Sequence, residues 1–227
     1  MPLTTSLITR SCSLHPARID PYWGYEDIGI FFLLMTLIAT VFRLAVRLHL
    51  LRALQLVNPQ PGLQCVIVVF LLLALYLVLK LRYHRQVVEP LGWVVPTLRY
   101  TVAALLIGPI FALGVTLSIR SAHPAISPTP KIDFLVLAIL LGPILEESVL
   151  RGCILPVLER TFGSVLAVSV TAFLFALLHG PASLVHWIWF TATGMAYGWL
   201  RLASQTTTTA FFMHASYNLA LLLLAAA

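Results

Sequence analysis

Charge is what this 227-residue chain has least of. Only 10% of its residues are charged, against about 25% in an ordinary soluble domain. Eight acidic and 14 basic residues cannot cover the water-facing surface of a chain that is 60% hydrophobic, with a mean hydropathy of +0.97. A soluble globular domain is therefore excluded. So is a disordered tail, which needs low hydrophobicity and high charge. Cysteine is scarce as well: Cys12, Cys65 and Cys153 form no CxxC pair, so neither a disulfide framework nor a zinc motif follows. Met1–Asp20 has no apolar core of the kind a secretory leader carries, so the first hydrophobic run reads as a retained span. No internal repeat is visible. The net charge of +6 is not a nucleic-acid signal, because the Lys and Arg residues sit between or at the ends of apolar runs, where they set topology and meet lipid headgroups.

What remains is an all-α, polytopic membrane helical bundle forming one integral membrane domain over residues 1–227. A helix needs about 20 mostly apolar residues to cross a bilayer core. Seven runs are candidates: Ile28–Val46, Gly62–Leu79, Tyr100–Ile119, Ile132–Leu158, Val165–His179, Leu184–Leu200 and Ala210–Ala227. Splitting or re-entry puts the total at seven to eight. An N-terminal segment, 1–27, precedes them. Gly108-Pro109 predicts a kink in the third run. Asn58-Pro59-Gln60-Pro61-Gly62 and Ser127-Pro128-Thr129-Pro130 predict turns, and Ser204–Thr209 is a polar strip before the last run. Lys80, Arg82, Arg85 and Arg99 place the Lys80–Arg99 loop in the cytoplasm, whereas Arg43, Arg47 and Arg52 argue for the opposite orientation.

Most of the acidic residues (Asp20, Glu26, Asp27, Glu89, Asp133, Glu159) fall in loops or near span ends. Glu146 and Glu147 lie inside an apolar stretch instead. A carboxylate at membrane depth costs several kcal/mol, on the order of 3, unless it is paired or faces water. On a helix Glu147 and Arg151 are four apart, in the favourable acid-before-base order. Glu146 points about 100° away, which leaves it the less neutralised carboxylate. A Glu–Arg pair that only joins helices explains Glu147 well and Glu146 poorly. His179 ends the fifth run. His214 and Asn218, four apart on the seventh, can aim at one point. Taken alone, each histidine is better explained as an interhelical hydrogen bond. Three polar constellations on three spans are all relieved if they converge on one wet cavity. The other histidines (His15, His49, His84, His123, His186) carry no assigned role, Cys153 reads as a small packing residue, and Gly194 with Gly198 reads as close helix packing.

Glu146-Glu147-x-x-x-Arg151-Gly152, then Phe175-x-x-x-His179, then His214-x-x-x-Asn218, on successive hydrophobic runs, resembles the motif set of the CAAX protease and bacteriocin-processing family. These are the type II CAAX prenyl endopeptidases and their prokaryotic relatives, also called the Abi family. The resemblance covers roughly Phe134–Asn218 and marks 132–218 as the catalytic core. It implies a helical fold enclosing an intramembrane cavity, and a glutamate-dependent intramembrane endopeptidase that uses no metal or cofactor. It further implies Glu146 as general base, His179 as its partner on the attacking water, His214 and Asn218 as the oxyanion hole, and Glu147 and Arg151 as supporting residues. The implied partners are the lipid bilayer and a membrane-anchored or prenylated peptide or protein, in a prokaryotic cell membrane for a chain this short. Prenylated tails, bacteriocin leaders, pheromone peptides and sorting tails all remain open as substrates. Three rivals stand beside this reading. A zinc protease is disfavoured by the lack of His-Glu-x-x-His, and a transporter by the lack of a repeat. A non-catalytic immunity or scaffold protein of the same family is the main alternative. Glu146 counts to the middle of its run and His179 to the end of its own, so the two helices must be staggered, tilted or longer than drawn.

Overall fold

The computed structural model describes residues 21–47, 61–118, 131–181 and 183–226. The turns expected at 58–60 and 127–130, and the N-terminal residues up to Asp20, lie outside these. Among the described residues there are seven unbroken helices and no strand. They are α1 (Tyr25–Arg47), α2 (Pro61–Tyr83), α3 (Leu98–Ser118), α4 (132–162), α5 (Ser164–Leu178), α6 (Leu184–Ser204) and α7 (Thr207–Ala226). Seven helices replaces the looser estimate of seven to eight. Four of them, α1, α2, α3 and α7, are long and apolar enough to cross a membrane.

The fourth helix is irregular, and its prolines account for that. Two π-helical segments, Leu137–Leu141 and Ser148–Ile154, flank the α-helical Gly142–Glu147. Pro143 and Pro156 each stand in the first turn of the α-helical piece that follows a π segment. Proline has no N–H to give to the ladder, and the helix widens just before each one, as π-bulges do where the regular ladder is interrupted. The Gly142 and Leu155 amides accordingly reach back five residues, to Leu137 and Leu150.

The helix ends at Gly163, whose φ of +80° is open to glycine at no steric cost, and α5 folds straight back along α4. This hairpin removes the depth mismatch read from the sequence. Glu146 stands seventeen residues before Gly163 and His179 sixteen after it, so the two lie at the same depth below the turn. At 15 residues, α5 spans about 22 Å, less than the roughly 30 Å hydrocarbon core. It stops where the site is.

The helices α3 and α7 form the most extensive pairing of the bundle. They meet at Gly108, where a Cβ would stand 2.5 Å from the Met213 carbonyl and 2.8 Å from the Tyr217 amide. The expected kink motif thus has a second use, a place for a neighbouring backbone, while the helix runs unbroken through Pro109. Gly108→Ala must push α7 away, since overpacking costs about 1–3 kcal/mol. The expected result is a fall in Tm of several degrees, measured in detergent; an unchanged Tm would show that the contact is not tight.

The Lys80–Arg99 loop is not simply a solvent loop. Its middle enters the bundle, with Val87 and Leu91 buried. Thr207 donates from its amide to the Gly92 carbonyl (2.8 Å) and from its hydroxyl to the Leu91 carbonyl (2.6 Å), and Thr206 Oγ1 donates to Gly92 (3.0 Å). The threonine strip at the start of α7 thereby satisfies the backbone of the strap packed against it. Gly152 leaves room for the strap, because a Cβ there would stand 2.9 Å from the Leu91 carbonyl.

Candidate active site

All six residues singled out in the sequence meet in one place. The central α-helical piece of α4 ends in Glu146-Glu147 and sends the two carboxylates different ways. Glu147 is fully buried and faces Arg151, also fully buried, at 3.3 Å, the i, i+4 pair expected. Arg151 Nη2 also donates to the Gly194 carbonyl of α6 (2.8 Å), and its guanidinium lies over the Phe175 and Tyr197 rings at 5.1 and 5.2 Å. Glu146 points into a cavity of about 370 Å³ lined by α2, α4, α7 and His179. Its Oε2 has no hydrogen-bond partner among the described residues.

Each histidine is held through one nitrogen, which fixes what the other can do. His179 caps the end of α5, where its backbone N–H turns to the Ala176 carbonyl. The Phe175 carbonyl is then taken by the His179 side chain, Nδ1 at 2.8 Å. A carbonyl only accepts, so Nδ1 carries the hydrogen and neutral His179 presents an acceptor at Nε2. That Nε2 stands 3.9 Å from Glu146 Oε2. His214 is buried, and its Nδ1 lies 2.9 Å from Glu147 Oε1. By the same logic its Nδ1 carries the hydrogen, and its Nε2 faces Glu146 Oε2 from 4.0 Å. Both rings therefore aim Nε2 at one carboxylate oxygen. Glu147 does more than the sequence suggested, because it joins Arg151 and His214 in one buried network.

Asn218 is placed by the irregularity of α4. In the first π segment the Gly142 amide is committed to Leu137. The next amide in that register would serve Ala138, but residue 143 is proline. The orphaned Ala138 carbonyl accepts instead from Asn218 Nδ2 at 2.7 Å. One carboxamide hydrogen is used there and the second remains for the cavity, which Asn218 lines together with His214.

Sequence reasoning missed several contributors. Trp93, on the strap, donates to Ser148 Oγ at 3.0 Å, beside Glu147. Gln64 of α2 lines the cavity. Phe190 and Tyr197 of α6 stack on the two histidines. Isolated aromatics and a glutamine in apolar helices carry no local signal; Pro143 and Pro156 are the residues from which the irregularity of α4 could have been read. Cys153 is buried, as a packing residue should be. Asp27, expected merely near a span end, is buried, ion-paired with Arg82 Nε (2.9 Å) and accepting from the Tyr83 hydroxyl (2.7 Å), at the end of α2 away from the cavity-lining Gln64, Ile67 and Val68.

Residues 128–220 match the family model described as type II CAAX prenyl endopeptidase Rce1-like. No curated protein and no solved structure matches the chain. The matched segment contains Glu146, Glu147, Arg151, His179, His214 and Asn218, and it lies in a helical bundle with helices long and apolar enough to span a membrane. Over residues 128–220, the part that carries the site, this membrane protein is similar to the type II CAAX prenyl endopeptidase Rce1-like family.

Proposed function

We propose that the protein is a multi-pass membrane endopeptidase of glutamic type, which hydrolyses a peptide bond in a membrane-anchored peptide or protein with a water activated by Glu146 and His179. The observation that carries this reading is the convergence of His179 Nε2 and His214 Nε2 on Glu146 Oε2, at 3.9 and 4.0 Å. Two hydrogen bonds of about 2.8 Å meeting at one water span a gap of that size. Such a water gives one hydrogen to Glu146 Oε2 and the other to His179 Nε2, and its lone pairs are then turned towards an incoming carbonyl carbon. As the water oxygen bonds to that carbon, Glu146 takes its proton, a contribution of about 10²–10⁴ in rate. The C–N bond breaks when the oxyanion re-forms the carbonyl, and the departing amine takes the proton held at the Glu146–His179 pair.

His214 and Asn218 supply the oxyanion site. His214, its Nδ1 held at Glu147 Oε1, turns its Nε2 towards the cavity, where the oxyanion forms. Asn218 donates with its second carboxamide hydrogen. Losing one such donor costs about 10²–10³ in turnover. Asn218→Ala should therefore lower kcat by about that factor with little change in KM, measured on a membrane-anchored reporter peptide in bicelles. An equal effect on KM alone would make Asn218 a binding residue. In the same assay a strong chelator should leave the wild-type rate unchanged; its loss on chelation would move the site to metal chemistry.

A further inference from the structure

Both imidazoles are gripped from the side by a single helix that carries none of the recognised motifs. Phe190 stacks on His179 with centroids 4.7 Å apart and planes at 26°. Tyr197 stacks on His214 at 4.8 Å and 18°. The two aromatics are seven residues apart on α6, which puts them on one face about 10 Å along the axis. Between them Gly194 offers its carbonyl to Arg151. Phe175 of α5 fills the space within this frame, 4.4 Å from His179 and, edge-on, 5.6 Å from His214. It also meets Phe190 at 6.3 Å and Tyr197 at 5.5 Å.

One hydrogen bond at Nδ1 does not by itself lock a histidine ring: rotation about the Cβ–Cγ bond breaks that contact and lets the hydrogen move to the other nitrogen. That rotation carries Nε2 away from Glu146, and His179, with its side chain 29% exposed, has open space to swing into. A ring plane fixed by stacking removes that freedom. We propose that Phe190 and Tyr197 are positioning residues which hold the His179 and His214 ring planes so that both Nε2 atoms stay directed at Glu146. On this view α6 is a rack for the reacting groups and does not itself touch the substrate. The inference rests on the peptidase reading above. The Tyr197 hydroxyl is buried without a hydrogen-bond partner among the described residues, so the ring, not the hydroxyl, is the part that acts.

The test uses the full chain in bicelles with Phe190→Leu, Phe190→Tyr, Tyr197→Leu and Tyr197→Phe. One readout is kcat and KM on a membrane-anchored reporter peptide. The other is the ring ¹⁵N spectrum of histidine-labelled protein, which reports the nitrogen that carries the hydrogen. The leucine variants should lower kcat about tenfold or more with KM within about twofold, the scale of loss expected when reacting groups are misplaced by an ångström or less. Phe190→Leu should mix the tautomers of His179, and Tyr197→Leu those of His214. The ring-retaining variants should recover both the rate and the single tautomer. Wild-type kcat and an unmixed His179 signal in Phe190→Leu would overturn the proposal. So would a Tyr197→Phe protein as impaired as Tyr197→Leu, which would hand the role to the hydroxyl. If Tyr197→Leu does not fold, the Phe190 pair decides the matter, since Phe190 is only partly buried. If the wild type itself cleaves nothing, the peptidase reading fails, while the ¹⁵N readout still tests the rack.

Discussion

Glu146→Gln should abolish peptide cleavage while leaving the protein folded and able to bind substrate. Glutamine keeps the shape of the side chain but cannot accept the proton of the attacking water, so the full general-base contribution of about 10²–10⁴ is lost. Stability should hardly change. Glu146 Oε2 has no hydrogen-bond partner to lose, and the side chain is 29% exposed to the cavity. The contrast with its neighbour sharpens the test. Glu147 is fully buried and bonded to both Arg151 and His214, so Glu147→Gln should cost stability as well as rate. Measuring Tm and reporter cleavage for both variants separates the roles. Activity of Glu146→Gln within a few-fold of wild type would remove Glu146 from the chemistry.

The sequence carried this division because two adjacent carboxylates on a helix cannot share a face, and only one of them lies four residues from an arginine. The convergence of three spans was legible for a similar reason: isolated polar groups in lipid are costly, and meeting in one cavity relieves all of them. Hydropathy could not show the depth of His179. That follows from the hairpin at Gly163, which sets Glu146 and His179 almost equally far from the turn, and from an α5 too short to span the bilayer core. Nor could charge counting reveal the strap. Lys80, Arg82, Arg85 and Arg99 suggest a wet loop, yet Leu91 and Gly92 between them are tied to Thr206 and Thr207. The threonine strip was visible in the sequence and its partner was not, because a backbone carbonyl has no residue signature. The same holds for Asn218. Its bond to the Ala138 carbonyl exists because Pro143 lacks a hydrogen, and that consequence appears only once α4 is known to be π-helical there.

Arg151→Ala should be the most destabilising single change in the site. Arg151 is fully buried, pairs with Glu147 at 3.3 Å, donates to the Gly194 carbonyl at 2.8 Å and lies over two aromatic rings. Removing one partner of a buried pair costs about 3–5 kcal/mol, because the remaining charge is left uncompensated. Here the remainder is Glu147, whose only other bonded partner among the described residues is His214 Nδ1. The variant also leaves a void between Phe175 and Tyr197, which together with Gly194 join α5 and α6 to α4. Both Tm and turnover should fall. Arg151→Lys should recover little of either, since a compact ammonium cannot span the carboxylate and the carbonyl as the planar guanidinium does. Arg151→Met combined with Glu147→Gln removes both charges and fills most of the volume. It should regain much of the lost Tm, because replacing a buried pair by uncharged side chains of similar size is often neutral. It should not regain turnover, because His214 would have lost the carboxylate that holds its Nδ1 at 2.9 Å and so aims its Nε2. Thermal unfolding and reporter cleavage on these three proteins decide the assignment. An Arg151→Ala protein with wild-type Tm and full turnover would refute it, and a double variant that regained activity along with Tm would reduce Glu147 and Arg151 to a structural tie.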